Sequence, residues 1–151
     1  MSVVVPADAD RSSGSGPTPD RDSAPYWESL REHRLTVQIC DSCNELRFPP
    51  MPGCPRCGTP DGRWVEAPTS GTVYSWVRVH RSSSQEFAAS APYVIATVEL
   101  APGCRIFARL EPNDAAAIGI EVEPCFVDHA EWTEVRFRAL STQCPDGRAD
   151  G

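Results

Sequence analysis

The stretch CDSCNELRFPPMPGCPRCG, residues 40–58, decides the fold of the first part of the chain. It contains two Cys-x-x-Cys pairs, Cys40/Cys43 and Cys54/Cys57, separated by ten residues. Each pair directs two thiolates at one point, and two facing pairs form the tetrahedral arrangement that a zinc ion accepts. Because the protein fills all four positions, none stays open for water. The motif therefore predicts a structural zinc ion in a zinc ribbon and argues against a catalytic metal.

The same four thiolates are compatible with two other chemistries. They would hold a single iron ion in a rubredoxin-like electron carrier, and a Cys-x-x-Cys pair can serve as a redox-active dithiol. Zinc is the preferred interpretation because a paired array of this spacing is typical of zinc sites. A red colour in the purified protein would reveal the iron alternative.

Charge and terminal sequence restrict the class of protein. The 151-residue chain has a net charge of −7, and arginine supplies all 14 of its cationic residues. General nucleic-acid binding depends on clustered positive charge, so this acidity counts against it. The apolar run Val3–Val5 is too short for a signal peptide, and no stretch reaches the roughly 18 apolar residues of a membrane span. We therefore expect a soluble, cytoplasmic protein in which cysteines stay reduced.

Composition divides the chain into five parts. Residues 1–24 and 141–151 are expected to be disordered, because they carry too few large apolar residues to offset the entropy of ordering. A short helix is predicted over 25–33, with Pro25 in its first turn. The ribbon would span 34–67. The remainder, 68–140, is rich in short strands.

Five strands are predicted in the second domain. They cover 72–80, 93–100, 104–110, 121–128 and 134–140. The connection 111–120 has room for one helical turn and a bend at Gly119. Five strands with a short helical connector after the third are typical of a Greek-key barrel of the OB type. The predicted fold class is mainly β: an N-terminal helix, a rubredoxin-like zinc ribbon and a five-stranded OB-fold barrel.

Alternation along the strands assigns one face to the barrel core. The predicted core consists of Val73, Val77, Val79, Val94, Ala96, Val98, Leu100, Ile106, Ala108, Leu110, Val122, Phe126, Val135, Phe137 and Ala139. The opposite face of the first three strands would carry Tyr74, Trp76, Arg78, His80, Tyr93, Arg105, Phe107 and Arg109. So many aromatic and arginine side chains need a cover or a partner. The helix residues Tyr26, Trp27 and Leu30 form a second apolar face that must also dock.

The sequence contains no recognisable catalytic constellation. The three cysteines outside the ribbon lack metal-ligand spacing, and none of the three histidines is placed to activate a cysteine. A phosphate-binding loop, a dinucleotide fingerprint and a nucleophile elbow are all missing. We therefore expect no catalytic residue in this chain.

The order of the motifs resembles an acyl-CoA-associated family in which a rubredoxin-like zinc ribbon precedes an OB-fold domain. The resemblance covers about 25–140 and rests on YWESL (26–30), LTVQIC (35–40), LRFPP (46–50), CPRCG (54–58), GTVYSW (71–76), APYVIA (91–96) and VEL (98–100). One departure is Asn44, where the family usually has glycine. Asparagine tolerates the left-handed conformation better than most residues, so we expect the turn to survive.

The resemblance implies an accessory role. Members of this family look like accessory subunits of thiolases, sterol-side-chain aldolases and acyltransferases. Others are fused to hydratases or work beside them. It thus implies a non-catalytic scaffold subunit in a hetero-oligomer with a thiolase-like enzyme acting on acyl-CoA, in lipid or steroid degradation or natural-product biosynthesis. The helix residues and the outward face listed above would contact the partner or acyl-CoA. The alternative is a stand-alone module that binds a CoA ester or a single-stranded nucleic acid.

Overall fold

The structure is a computed structural model that describes residues 3–4 and 16–140. Its elements are β1 (Val3–Val4), α1 (Ala24–Arg31), β2 (Thr36–Cys40), β3 (Leu46–Arg47), β4 (Gly62–Glu66), β5 (Gly71–Val79), α2 (Gln85–Ala88), β6 (Tyr93–Ala101), β7 (Cys104–Glu111), a 3-10 turn (Asn113–Ala115), β8 (Glu121–Asp128) and β9 (Thr133–Ala139). The prediction of a mainly β fold is confirmed. Within the described part of the chain, the helices are too short and too polar to cross a membrane.

Helix α1 packs its apolar face inward. Tyr26 and Leu30, four residues apart and therefore on one face, are both buried. The Tyr26 ring meets the Phe48 ring of the ribbon edge-on, with 5.2 Å between centroids. The Ser29 hydroxyl lies 2.7 Å from the Thr36 hydroxyl of β2. The expectation that Leu30 contacts a partner is therefore wrong, because packing within the chain covers its side chain completely, and Tyr26, also predicted as a partner contact, keeps only 4% of its surface exposed.

The zinc ribbon is a three-stranded antiparallel sheet in the order β3-β2-β4. Its Gln38 side chain accepts hydrogen bonds from Arg47 Nε and from the Met51 backbone N–H, both at 3.0 Å. These bonds hold the segment between the two cysteine pairs against β2. Leu35 and Val37 belong to the same buried cluster as the barrel core. The ribbon and the barrel therefore share one hydrophobic core.

The second domain is built from β5 to β9. Antiparallel pairs join β5 to β6, β6 to β7, β5 to β8 and β8 to β9, while β7 pairs with β9 in parallel. Followed from strand to strand, these pairings lead from β5 through β6, β7, β9 and β8 back to β5, as expected for the OB type. The 3-10 turn follows the third strand of this set, and Gly119 bends the chain with φ of +89°. Both features agree with the sequence-based expectation for the connection 111–120.

A bulge in β5 changes which side chains face the core. Val73 pairs with Val98, but the next pair is Ser75 with Thr97, so Tyr74 is the extra residue. A bulge of this kind shifts the alternation of every residue that follows it. The strict alternation assumed from the sequence is therefore wrong beyond Val73.

The residues after the bulge occupy the faces opposite to those predicted. Residues directly opposite in a sheet share a face. Trp76 lies opposite the buried Ala96 and Arg78 opposite the buried Val94, so the register places both on the core side of the sheet, although both side chains remain exposed. Val77, predicted to be in the core, lies on the outer face and is 59% exposed. Val79, also predicted to be in the core, is only half-buried.

The predicted tails lie largely outside the described residues. This holds for 1–2, 5–15 and all of 141–151. Within the predicted tail 1–24, Val3–Val4 pair in parallel with β8. The side chains of Asp20 and Ser23 each accept a hydrogen bond from the other's backbone N–H, at 2.7 and 3.0 Å. In these two stretches the structure differs from the expectation of disorder.

Candidate metal centre and aromatic groove

The four ribbon cysteines lie in two matching turns. The N–H of Asn44 donates to the Cys40 carbonyl at 3.0 Å, and the N–H of Gly58 donates to the Cys54 carbonyl at 2.9 Å. Asn44 and Gly58 both have positive φ, 58° and 78°. Glycine and asparagine adopt this conformation at the lowest cost, which explains both residues. The expectation that Asn44 can replace the glycine is confirmed.

The sulfur atoms are spaced for a tetrahedral ion. Cys40 Sγ lies 3.5 Å from Cys57 Sγ, Cys43 Sγ lies 3.7 Å from Cys54 Sγ, and all four lie within 4.8 Å of one another. A tetrahedral zinc site with Zn–S bonds near 2.3 Å separates its sulfurs by about 3.8 Å. The donor set therefore fits structural zinc.

Backbone N–H groups stabilise the thiolate form of the first cysteine in each pair. Ser42 and Cys43 donate to Cys40 Sγ at 3.4 and 3.5 Å. In the second turn the Cys57 N–H holds the pKa of the Cys54 thiol at about 6. Metal binding requires deprotonated thiols, and these donors favour that form at Cys40 and Cys54, whereas the neighbouring thiols raise the pKa of Cys43 and Cys57.

A groove of about 350 Å³ lies on the outer face of β6 and β7. The aromatic residues that line it are Tyr26, Trp27, Phe87, Tyr93, Phe107 and Trp132, and we call it the aromatic groove. Phe107 is its most exposed aromatic ring, with 72% of its surface accessible. Exposed apolar patches of this kind commonly mark interaction sites.

Two of these aromatic residues were not predicted from the sequence. Trp132 lies in the turn between β8 and β9, and its ring meets the Trp27 ring edge-on with 6.3 Å between centroids. Phe87 lies on α2, inside the connection that the sequence analysis treats as a loop. Neither position belongs to an alternating strand, so the strand pattern could not assign it to a face.

Arg109 packs against two aromatic rings that line the groove. It is nearly buried, contrary to the expectation of an exposed contact residue. Its guanidinium lies 4.4 Å from the Tyr93 ring centroid and 5.6 Å from that of Phe87. It donates a 2.9 Å hydrogen bond to the Ser90 hydroxyl and lies 3.9 Å from Glu134. Arg109 thus holds the α2 connection against the sheet.

The carboxylate beneath the groove is also paired. Glu134 accepts a hydrogen bond from Arg136 and lies within hydrogen-bond distance of His129, each at 3.0 Å. Burial raises the pKa of Glu134, but these two partners and the charge of Arg109 together hold it below its ordinary value. A carboxylate held ionised by cations is suited to structural support rather than to proton transfer.

The remaining predicted face residues do not join the groove. Tyr74 and Arg105 form a separate patch, in which the guanidinium lies 3.7 Å from the ring centroid and also pairs with Glu99 at 3.0 Å. Arg78 donates to the Asn113 carbonyl at 3.3 Å. His80 is exposed just after β5.

Comparisons with known proteins agree with this architecture. The family model described as "ChsH2, rubredoxin-like zinc ribbon domain" matches residues 27–61, and "ChsH2, C-terminal OB-fold domain" matches 64–127. A DUF35 domain-containing scaffold protein of Methanothermobacter thermautotrophicus is 35% identical over 124 residues, covering 80% of this chain and 85% of the relative.

Longer proteins also contain a related segment. The 3-oxo-4,17-pregnadiene-20-carboxyl-CoA hydratase alpha subunit of Mycobacterium tuberculosis is 33% identical over 132 residues, covering 85% of this chain but 41% of that subunit. The chain spans less than half the length of the curated hydratase alpha subunits it matches.

A solved structure matches most of the described fold. A chain of the "Ltp2-ChsH2(DUF35) aldolase" superposes with a TM-score of 0.73 at 36% identity, covering 83% of this chain and all of that chain. Sequence and structure agree on the same two modules in the same order. The chain therefore belongs to the ChsH2/DUF35 family, in which a rubredoxin-like zinc ribbon is followed by an OB-fold domain.

Proposed function

We propose that this chain is a non-catalytic accessory subunit of a thiolase-superfamily enzyme that acts on acyl-CoA or related acyl thioesters. The observation that carries the proposal is the aromatic groove, where Phe107 projects from a rigid strand with 72% of its surface exposed. Rigid aromatic side chains lose little entropy on binding and dominate interface energetics. The groove therefore has the chemistry of a protein-docking surface.

The ribbon contributes stability to this surface. Cys40, Cys43, Cys54 and Cys57 would hold the zinc ion, which supplies on the order of 10–16 kcal/mol of binding free energy in such modules. With four protein thiolates as ligands, the ion has no position left for a substrate or a water molecule. Because the ribbon shares its core with the barrel and its Phe48 ring contacts Tyr26, the ribbon supports α1, which forms one wall of the groove.

The relatives support an accessory role. Related archaeal chains of similar length are named scaffold proteins, and the solved relative is named as part of an aldolase. The hydratase alpha subunits are more than twice as long as their matched segments, so their names describe more than the part shared with this chain. The sequence motifs predict no catalytic residues, which favours a supporting role in such an assembly.

The alternative of a single-stranded nucleic-acid module is less well supported. Base stacking on aromatics works beside cations that track the phosphate backbone. Here Arg105 is paired with Glu99, and Arg109 is held by Ser90 and Glu134. The net charge of −7 adds an unfavourable long-range field.

Co-expression tests the proposed function. The chain is produced alone and together with thiolase-superfamily enzymes encoded in the same genome, and each preparation is assayed with acyl-CoA substrates. We expect one enzyme to co-elute with the chain, and turnover to require that enzyme. Thiolysis, carbon–carbon cleavage or hydration by the isolated chain, abolished by a point change in it, would contradict the proposal.

A further inference from the structure

Residues 16–19, Gly-Pro-Thr-Pro, lie against one end of the aromatic groove. A Cβ atom built on Gly16 would lie 2.6 Å from Cγ and 2.9 Å from Nε1 of the Trp132 indole. Real Cβ atoms do not approach other atoms so closely. The Gly16 backbone therefore packs directly on the indole, and a side chain at this position would have to displace either the ring or the segment. The segment, together with Trp27 and Trp132, borders a cavity of about 550 Å³.

The aromatic pair that receives this segment is held in place by its neighbours. The Trp132 ring stacks on the His129 ring, with 4.5 Å between centroids and 14° between planes. His129 in turn lies 3.0 Å from the Glu134 carboxylate. The Trp27 ring meets Trp132 edge-on. The two indoles thus form a preorganised aromatic surface, which lowers the entropic cost of binding.

The segment has the chemistry that such a surface binds. Pro17 and Pro19 have fixed φ angles, and Gly16 and Thr18, each preceding a proline, are biased toward extended backbone. Proline-containing extended segments dock on aromatic-lined grooves because they are already ordered before binding. The Asp20–Ser23 turn joins the segment directly to the start of α1, so its local concentration near Trp27 is high.

We propose that Trp132, with Trp27 beside it, forms a platform on which Gly16 anchors segment 16–19 of this same chain as a strap over one end of the aromatic groove. The strap and the proposed partner surface share both tryptophans. A partner that uses the full groove must therefore displace the strap. The competition between the partner and the strap rests on the proposed function, whereas the platform itself does not.

The test of the platform is the Gly16→Val substitution in the full chain. The added isopropyl group would overlap the Trp132 indole, so we expect the strap to leave. The chain has four tryptophans, and their indole N–H resonances in a ¹H–¹⁵N spectrum report on each ring separately. The resonances of Trp27 and Trp132 should shift, while those of Trp64 and Trp76, which do not border the strap cavity, should stay in place.

Two further measurements sharpen this test. Thr72→Ala is the control, because the Thr72 side chain is exposed on β5 and does not border the strap cavity, and it should leave all four resonances unchanged. A synthetic peptide with the sequence of residues 14–20, added to the Gly16→Val chain, should return the two shifted resonances toward their wild-type positions. Unchanged Trp27 and Trp132 resonances in Gly16→Val, or equal shifts of all four indoles, would overturn the platform.

Titration with the thiolase-superfamily partner tests the competition separately. The Gly16→Val chain should bind the partner several-fold more tightly, because binding no longer has to displace the strap. Equal affinity, or weaker binding, would overturn the competition. Binding by neither chain would contradict the proposed function, and the indole spectra would still decide the platform.

Discussion

Replacing Phe107 by alanine should separate docking from stability. The side chain lies on the outer face of β7 and is 72% exposed, so little more than a quarter of its surface is buried. Full burial of a phenylalanine is worth about 1.5–3 kcal/mol, so the substitution should cost roughly 0.4–0.8 kcal/mol of unfolding free energy. Thermal or urea unfolding of the isolated chain measures this small loss.

The effect of Phe107→Ala on partner binding should be much larger. A central aromatic anchor typically contributes about 2 kcal/mol or more to an interface, as judged by truncation to alanine. A loss of about 2 kcal/mol weakens the dissociation constant by roughly 30-fold. Isothermal titration calorimetry with the co-eluting enzyme measures it directly.

Two control variants make this comparison decisive. Ile118 is also 72% exposed but lies outside the groove, so Ile118→Ala should change neither binding nor stability appreciably. Phe137 is fully buried, so Phe137→Ala should cost about 3–5 kcal/mol of unfolding free energy. Partner affinity of Phe107→Ala within twofold of wild type, or a stability loss like that of Phe137→Ala, would refute the docking argument.

Three further outcomes follow from the structure. Cys54→Ser should abolish zinc binding and lower the unfolding temperature of the whole chain, because the ribbon and the barrel share a core. Elemental analysis of the wild-type chain should find zinc, and iron would contradict the assignment. Gly71→Ala should cost about 1–3 kcal/mol in urea unfolding, because the added Cβ would lie 2.9 Å from the Glu99 carbonyl oxygen, and unchanged stability would count against the packing at this position. The pKa of Glu134 is lower in the folded state than its ordinary value of 4.5, so its ionised form stabilises the fold fully above pH 4.5, and this stabilisation is lost as the pH falls toward the folded-state pKa. Glu134→Gln should therefore flatten the pH dependence of the unfolding free energy in this range. An unchanged slope would show that other groups cause it.

The metal centre and the succession of strands along the chain could be predicted from local sequence. Cys40, Cys43, Cys54 and Cys57 share a spacing that has few other uses, and the structure brings their sulfurs within 4.8 Å. The positive φ of Asn44 was expected from the family resemblance, because glycine usually stands at this position. Such features depend on a few neighbouring residues, so a single sequence carries them.

The bulge at Tyr74 could not be predicted in the same way. No glycine or proline marks it, and the register of β5 depends on where β6 begins to pair. One extra residue moved Trp76 to the core side and Val77 to the outside. The sequence showed that the strand is amphipathic but not where its alternation changes phase.

The composition of the groove depends on contacts between distant segments. Trp132 comes from a turn, Phe87 from a four-residue helix and Gly16 from a stretch expected to be disordered. None of these has a periodic pattern. Their positions depend on tertiary packing: α1 packs on β9, and Arg109 lies beside the Phe87 ring.

Site-specific cross-linking tests the docking claim most directly. A photoreactive phenylalanine analogue, p-benzoylphenylalanine, replaces Phe107 in one variant and Ile118 in a matched control of equal exposure. Irradiation of each variant in complex with the co-eluting thiolase-superfamily enzyme should cross-link the enzyme at position 107 and leave it uncross-linked at position 118. Cross-linking at 118 with none at 107 would show that the enzyme binds elsewhere and would contradict the assignment of the aromatic groove as its docking surface.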